Sequence, residues 1–266
     1  MLVRIESESN SRLKLVSKLK TRRGRVNEGL FAAEGINLIR QAAYAGSDIR
    51  FILVPDTPAG DELQEFIDSC ISAGKPDVCV VPQHIFDKIT DAGHGVGVLA
   101  VAGMPANDPG MAERIAEDSN ILVLDRIQDP GNIGTMIRTA VAAGYGMIIA
   151  IKGTADIYSP KVLRSTAGMI FEIPFAYVDS ADELERLLRR TGRRIAVTDP
   201  AQGVPYYEAD LSRNIALVIG NEGNGISDEV MELADIRVNI PMKGNTESLN
   251  AAVSASILMY EAVRNH

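Results

Sequence analysis

The apolar run Leu217-Val218-Ile219 breaks off into Gly220-Asn221-Glu222-Gly223-Asn224-Gly225-Ile226-Ser227, with glycines set around a single carboxylate. A strand with no polar residue is covered on both faces, which points to a parallel sheet flanked by helices. The glycines that end it permit positive φ and let backbone N–H groups come close to a ligand. Ser227 is expected to cap a helix whose first turn holds Asp228 and Glu229. A second strand, Ile236 to Ile240, stops at Pro241, and Lys243-Gly244-Asn245-Thr246-Glu247 makes another polar loop. From Ser248 a helix sets Leu249, Ala252, Val253, Ser256, Ile257 and Tyr260 on one apolar face. Two strand ends thus deliver two glycine- and amide-rich loops, the arrangement in which open α/β sheets bind ligands.

A third segment, Asp129-Pro130-Gly131-Asn132-Ile133-Gly134-Thr135-Met136-Ile137-Arg138-Thr139-Ala140, completes a pattern: N-x-G-x-x-x-R, then I-G-N-E-G-x-G-I, then I-P-M-x-G-x-x-x-S-L-N-A-A. In order and content these resemble the three motifs of the SpoU (TrmH-type) class of SPOUT methyltransferases. The resemblance implies an α/β fold whose C-terminal SPOUT domain has a mainly parallel sheet and a trefoil knot, the segment from Ile240 to Asn250 passing through an earlier loop. It also implies methyl transfer from S-adenosylmethionine to a ribose 2′-hydroxyl of RNA.

Carried over by motif, the cofactor falls to Thr198, Gly220, Asn221, Gly223, Ile240, Met242, Ser248, Leu249 and Ala251, bound largely through backbone atoms. Gly220 is expected to leave room for the ligand, so that Gly220→Val blocks binding without harming the fold. The resemblance makes Arg138 the central catalytic residue, with Asn132, Glu222, Ser248 and Asn250 shaping the site. Asn132 and Arg138 lie roughly two turns apart on one helix, near enough the same side to serve one site. An arginine keeps its proton up to a pKa of about 12 or more, so Arg138 fits a phosphate clamp better than a base. The alternative for Glu222 is to close a glycine turn by accepting backbone N–H bonds.

The chain has 266 residues and 46% apolar content, enough for one large or two modest cores. No apolar run approaches a membrane span and the amino terminus lacks a signal peptide's apolar segment, so a cytoplasmic protein is expected. Cys70 and Cys79 have no histidine at metal spacing; reduced buried thiols and no metal are expected. The net charge is −8, yet residues 1–27 carry eight cations against two anions, leaving −14 on the remainder. Residues 1–27 are therefore expected to form a basic helix or arm, with Leu13, Val16 and Leu19 inward and Arg22 and Arg23 on RNA phosphates.

Residues 28–103 alternate helices and strands as a small α/β/α sandwich. This stretch resembles the ribosomal-protein-like substrate-binding domain that precedes the catalytic domain in many SpoU enzymes, carried by F-x-x-E-G near its start and G-V-x-x-V before its end. His94-Gly95 departs from the glutamine-glycine common there, and Gly93, Gly95 and Gly97 read as a bent turn entering a strand from Val96. Residues 104–119, rich in proline and glycine, are the expected linker, with a short helix over Met111 to Glu117, and residues 120–266 the methyltransferase domain. In the latter a strand is expected near Phe171 to Pro174. The segment from Ser159 to Gly168 resembles a further family signature, with Ser159 and Pro160 opening a helix and Lys161 and Arg164 as candidate RNA contacts. The resemblance also implies a homodimer through the knotted region, for which the final helix offers the small apolar face of Ala251, Ala252, Val253, Ala255 and Ile257. Ribosomal RNA is preferred over transfer RNA as the substrate; the alternatives are a tRNA 2′-O-methyltransferase and a non-catalytic RNA-binding protein.

Overall fold

The computed structural model describes residues 1–57, 59–91, 97–244 and 248–264. Expectations for residues 93–96, residues 245–247 and His266 lie outside the described residues. Contacts divide the chain into one unit of residues 1–105 with 156–171, and another of residues 106–155 with 172–266.

The first unit runs β1 (Leu2–Arg4), α1 (Ser11–Leu19), α2 (Arg22–Glu28), β2 (Leu30–Glu34), α3 (Ile36–Tyr44), β3 (Ile49–Pro55), α4 (Asp61–Ala73), β4 (Asp77–Val81), α5 (Gln83–Ile89) and β5 (Leu99–Gly103). Its sheet has the order β1-β4-β3-β5-β2, parallel from β1 to β3 and antiparallel where β5 pairs with β3 and β2. Residues 1–27 are not a free arm. β1 is an edge strand of the sheet, and Leu13, Val16 and Leu19 enter the core beside Ile85, Phe86 and Leu53. The Thr21 hydroxyl accepts from Gly24 N and starts a second helix, which is why one basic helix becomes two. Several of the cations face inward or pair. Arg25 is 3% exposed, its Nε and Nη2 donating to Asp156 Oδ2 (3.1 and 2.7 Å) and its Nη1 to the Leu19 carbonyl. Arg12 donates to Asp77 and to the buried Cys79 sulfur, while Lys18 and Lys20 pair with Glu28 and Asp91. Cys70 and Cys79 are both free and buried.

The second unit is built on β6 (Ile121–Asp125), α6 (Pro130–Ala142) and β7 (Met147–Ile151). The chain then gives α7 (Pro160–Ser165) to the first unit before returning as β8 (Phe175–Val178), α8 (Ala181–Arg190), β9 (Arg194–Thr198), β10 (Val204–Pro205), β11 (Ile215–Gly220), α9 (Asp228–Met231), β12 (Ile236–Asn239) and α10 (Ala251–Arg264). All pairings are parallel, in the order β10-β12-β9-β11-β6-β7-β8. β6, β7 and β11 are buried along their whole length, as their unbroken apolar runs require. From β6 the chain steps outward to β7 and β8, then returns on the other side of β6. The order therefore reverses between β6 and β11, and a crevice opens beyond their carboxyl ends.

Some expected elements move. Residues 169–171 form a 3-10 turn and the strand begins only after Pro174, whose carbonyl accepts Ile148 N from the neighbouring strand. The expected helix at 111–117 is a 3-10 turn at Pro109–Glu113. The last helix starts at Ala251, because the Asn250 side chain accepts from Ala252 N and Val253 N and caps it there.

Candidate active site

Beyond β11 the chain doubles back on itself. Asn221 N donates to Gly225 O and Gly225 N to Asn221 O, both at 2.9 Å. Asn221 Oδ1 accepts from Gly223 N and Asn224 N, filling the turn. A Cβ on Gly220 would lie 2.3 Å from Gly225 C and Ile226 N. The returning backbone itself therefore demands glycine at 220, which corrects the expectation that Gly220→Val leaves the fold intact.

Both ends of the loop are tied to the end of β6. Asn221 Nδ2 donates to the Arg126 carbonyl at 2.8 Å, and Ser227 donates through N and Oγ to Asp125 Oδ2 at 2.6 and 2.8 Å. Ser227 thus turns its hydroxyl to a buried carboxylate instead of capping α9. Asp125 escaped the sequence reading because one carboxylate at the end of an apolar run has no signature of its own.

Glu222 joins this loop to the start of α6. Its carboxylate accepts from Gln128 N (3.2 Å), Asp129 N (3.1 Å) and Asn132 Nδ2 (2.9 Å). Partial burial pushes its pKa up, but the bonds from Asn132 and from backbone N–H groups outweigh that and hold it below its ordinary value. Asn132 Oδ1 in turn accepts from Asn250 Nδ2 at 2.9 Å. Each of the three motif segments thus contributes one residue to a single chain, Asn250 to Asn132 to Glu222. The carboxylate can only accept, so it fixes which way both amides point.

A cavity of about 930 Å³ opens beside this chain. Thr198, Gly220, Asn221, Gly223, Ile240, Met242, Ser248, Leu249 and Ala251 all line it, as do Glu222 and Asn250; Pro200, Pro205 and Ser254, unmarked in the sequence, are also part of the wall. Among the described residues, the backbone N–H and C=O groups of Ile240, Met242, Ser248 and Leu249 make no backbone hydrogen bond. They are available to a ligand between apolar side chains.

Arg138 does not line this cavity. Six residues at 100° each set it about 120° around the helix from Asn132. Asn132 is buried while Arg138 is exposed, with no hydrogen bond or ion pair among the described residues. The two do not share a side, contrary to the expectation. In the first unit, Arg22, Arg23 and Lys161 are exposed, whereas Arg164 pairs at 3.1 Å with Glu34, whose side chain is 3% exposed.

The family model of SpoU rRNA methylases matches residues 119–260, over half of the chain. The chain belongs to the SpoU rRNA methylase family. A second family model, the MRM3-like substrate binding domain, matches residues 10–100. The chain is 34% identical over 262 residues to the 23S rRNA (guanosine(2553)-2′-O)-methyltransferase RlmP of Bacillus subtilis, covering 96% of this chain and 97% of that one. An AdoMet-bound rRNA methyltransferase from Sinorhizobium meliloti superposes with a TM-score of 0.87 at 29% identity, covering 99% of this chain and 98% of that one. The SpoU methyltransferase AviRb from Streptomyces viridochromogenes, in complex with AdoMet, gives 0.85 at 31%, covering 96% and 98%. As a SpoU methylase the chain has the all-parallel sheet in its C-terminal unit and a separate N-terminal unit before it.

Proposed function

We propose that this chain transfers the methyl group of S-adenosylmethionine to a ribose 2′-hydroxyl of ribosomal RNA. The observation that carries this is one cavity beyond the ends of β9, β11 and β12 that two motif segments line, with the third bonded to both of them through Asn132. The cofactor fits what is there: the volume lies in the range of small-molecule sites, and Ile240, Met242, Ser248 and Leu249, whose backbone groups are unused among the described residues, line it. Bound there, it supplies an electrophilic methyl on a sulfonium, which the ribose oxygen displaces as the hydroxyl loses its proton.

The protein's part is positioning. Gly220, Asn221 and Gly223 line the cavity together with Ile240, Met242, Ser248, Leu249 and Ala251, and with Thr198 at the end of β9. Glu222, Asn132 and Asn250 lock these loops to one another, so the acceptor meets a fixed geometry. Glu222 serves as this lock and not as a base: its carboxylate is fully engaged and its pKa is lowered. Arg138, exposed and without a partner among the described residues, is free to hold the phosphate beside the acceptor ribose. Arg22, Arg23 and Lys161 are the remaining proposed RNA contacts; Arg164 is held by Glu34 and serves the fold.

The chain is further proposed to act in the cytoplasm as a homodimer through α10. Ala252 and Ala255 are buried within the chain, so the face offered to a partner is Val253, Tyr260 and Val263, all exposed, with Ile257 half-buried between them. The trefoil knot is proposed with the family fold. No helix among the described residues is long and apolar enough to cross a membrane.

Mapping 2′-O-methylation in ribosomal and transfer RNA from cells lacking the gene tests the assignment. Loss of one ribosomal methyl mark, restored in vitro by the protein with S-adenosylmethionine, is expected. Loss confined to transfer RNA would overturn the rRNA assignment, and no lost mark would overturn the activity.

A further inference from the structure

Directly after β6, at the reversal point between β6 and β11, stands Arg126, a residue that no motif includes. It is one of three non-glycine residues with positive φ among the described residues, at 57°. A long side chain in the left-handed region is uncommon, and such outliers gather at functional sites. Its position is fixed from several directions. Its carbonyl accepts from Asn221 Nδ2, joining it to the loop that carries Glu222. Its stem lies on Gly153, where a Cβ would come within 3.0 Å of Arg126 Cγ; Gly153 itself has φ 105°. Its Nε sits 3.2 Å from Oδ1 of Asp125, whose side chain is 0% exposed.

That last contact is an ion pair without an aligned hydrogen bond, because Asp125 Oδ1 has no hydrogen-bond partner. The guanidinium, with the side chain 44% exposed, therefore keeps its N–H groups free among the described residues while a buried carboxylate anchors its charge. A planar donor fork, held at one edge and open at the other, matches two oxygens of a phosphate. It stands one hydrogen bond from a residue that lines the cofactor cavity.

We infer that Arg126 is an RNA-binding residue of the active site, taking a phosphodiester of the acceptor strand, with Asp125 as its positioning residue. This rests on the methyl-transfer reading above. Asp125 has two tasks: Oδ2 holds Ser227 at the far end of the cofactor loop, and Oδ1 holds the cation that meets the substrate. Seating of the RNA strand and order in the cofactor loop are thereby joined through one side chain.

The test compares wild type with Arg126→Gln, Arg126→Lys and Arg126→Asn, the last a short side chain that tolerates positive φ and so guards against a folding defect. Binding of a single-stranded 20-nucleotide RNA is measured across salt concentrations, S-adenosylmethionine affinity by calorimetry, and the KM for rRNA from cells lacking the gene. Loss of one phosphate contact should flatten the plot of log K against log salt by about 0.7–1 in Arg126→Gln and Arg126→Asn. The KM for RNA should rise several-fold in both while cofactor affinity holds. Arg126→Lys should recover the slope and only part of the KM. An unchanged slope and KM would overturn the inference, and so would cofactor affinity or melting temperature falling in their place, since Arg126 would then only neutralise Asp125. Wild-type protein that methylates no RNA would overturn the proposed function instead, a result independent of these variants.

Discussion

Gly220→Ala separates two reasons for a glycine in the cofactor loop. The added Cβ would lie 2.3 Å from backbone atoms of Gly225 and Ile226, more than an ångström inside ordinary contact, and neither neighbour is a side chain that can swing away. The loop must open, and the paired bonds between Asn221 and Gly225 go with it. Two such bonds contribute about 1–3 kcal/mol net. Forced displacement of packed backbone adds about 1–3 kcal/mol. The sum is about 2–6 kcal/mol, which for a unit of this size lowers the melting temperature by roughly 6–18 °C. S-adenosylmethionine binding should be lost as well, because Gly220, Asn221 and Gly223 would leave the cavity wall. Thermal melting without ligand, paired with calorimetric titration of the cofactor, measures both effects. A variant that melts like wild type yet binds no cofactor would refute the reasoning, since glycine at 220 would then serve the ligand alone.

Other outcomes follow from the site. Because the Glu222 pKa is lowered from 4.5, the folded state favours its charged form; its contribution to loop order is complete above about pH 4.5 and lost as the pH falls through the lower folded value. Wild-type cofactor affinity should weaken in that acid window, and Glu222→Gln should bind more weakly at neutral pH with that acid dependence gone. Arg138→Ala should lower single-turnover methyl transfer about 100-fold, and Arg138→Lys about ten-fold, through looser seating of the ribose. Cofactor affinity should be intact in both; wild-type turnover by Arg138→Ala would remove the clamp. Arg164→Ala should destabilise the first unit by about 1–3 kcal/mol by removing one charged hydrogen-bond partner of the buried Glu34. Unchanged melting with weakened RNA binding would make Arg164 an RNA contact after all.

The wall of the cavity was legible because its residues come in ordered motifs on strand ends, and unbroken apolar runs announced the parallel sheet. What stayed hidden depends on contacts between distant parts of the chain. Nothing local distinguishes Arg25, buried against Asp156, from its exposed neighbours Arg22 and Arg23. β1 is only three residues long and is made a strand by its partner β4, not by its own pattern. The clash that requires glycine at 220 comes from residues five and six positions later, visible only once the loop is closed. Helical spacing was visible for Asn132 and Arg138, but a separation of six residues falls between one turn and two, and burial decided which of them faced inward.

Residues 156–171 leave the methylase unit, place α7 with its buried Val162 and Leu163 in the other unit, and come back. The polypeptide therefore passes between the units three times, near 105, 155 and 171, and no single scission can part them. A protease that nicks the proline-rich stretch after residue 103 leaves two fragments still laced together by the later crossings. Gene fusion at that same stretch cannot hand a complete N-terminal unit to another enzyme, because part of its core is encoded inside the methylase. An isolated methylase unit starting at residue 106 would expose Val162 and Leu163 to water, and a soluble version needs the excursion from 156 to 171 replaced by a short polar turn.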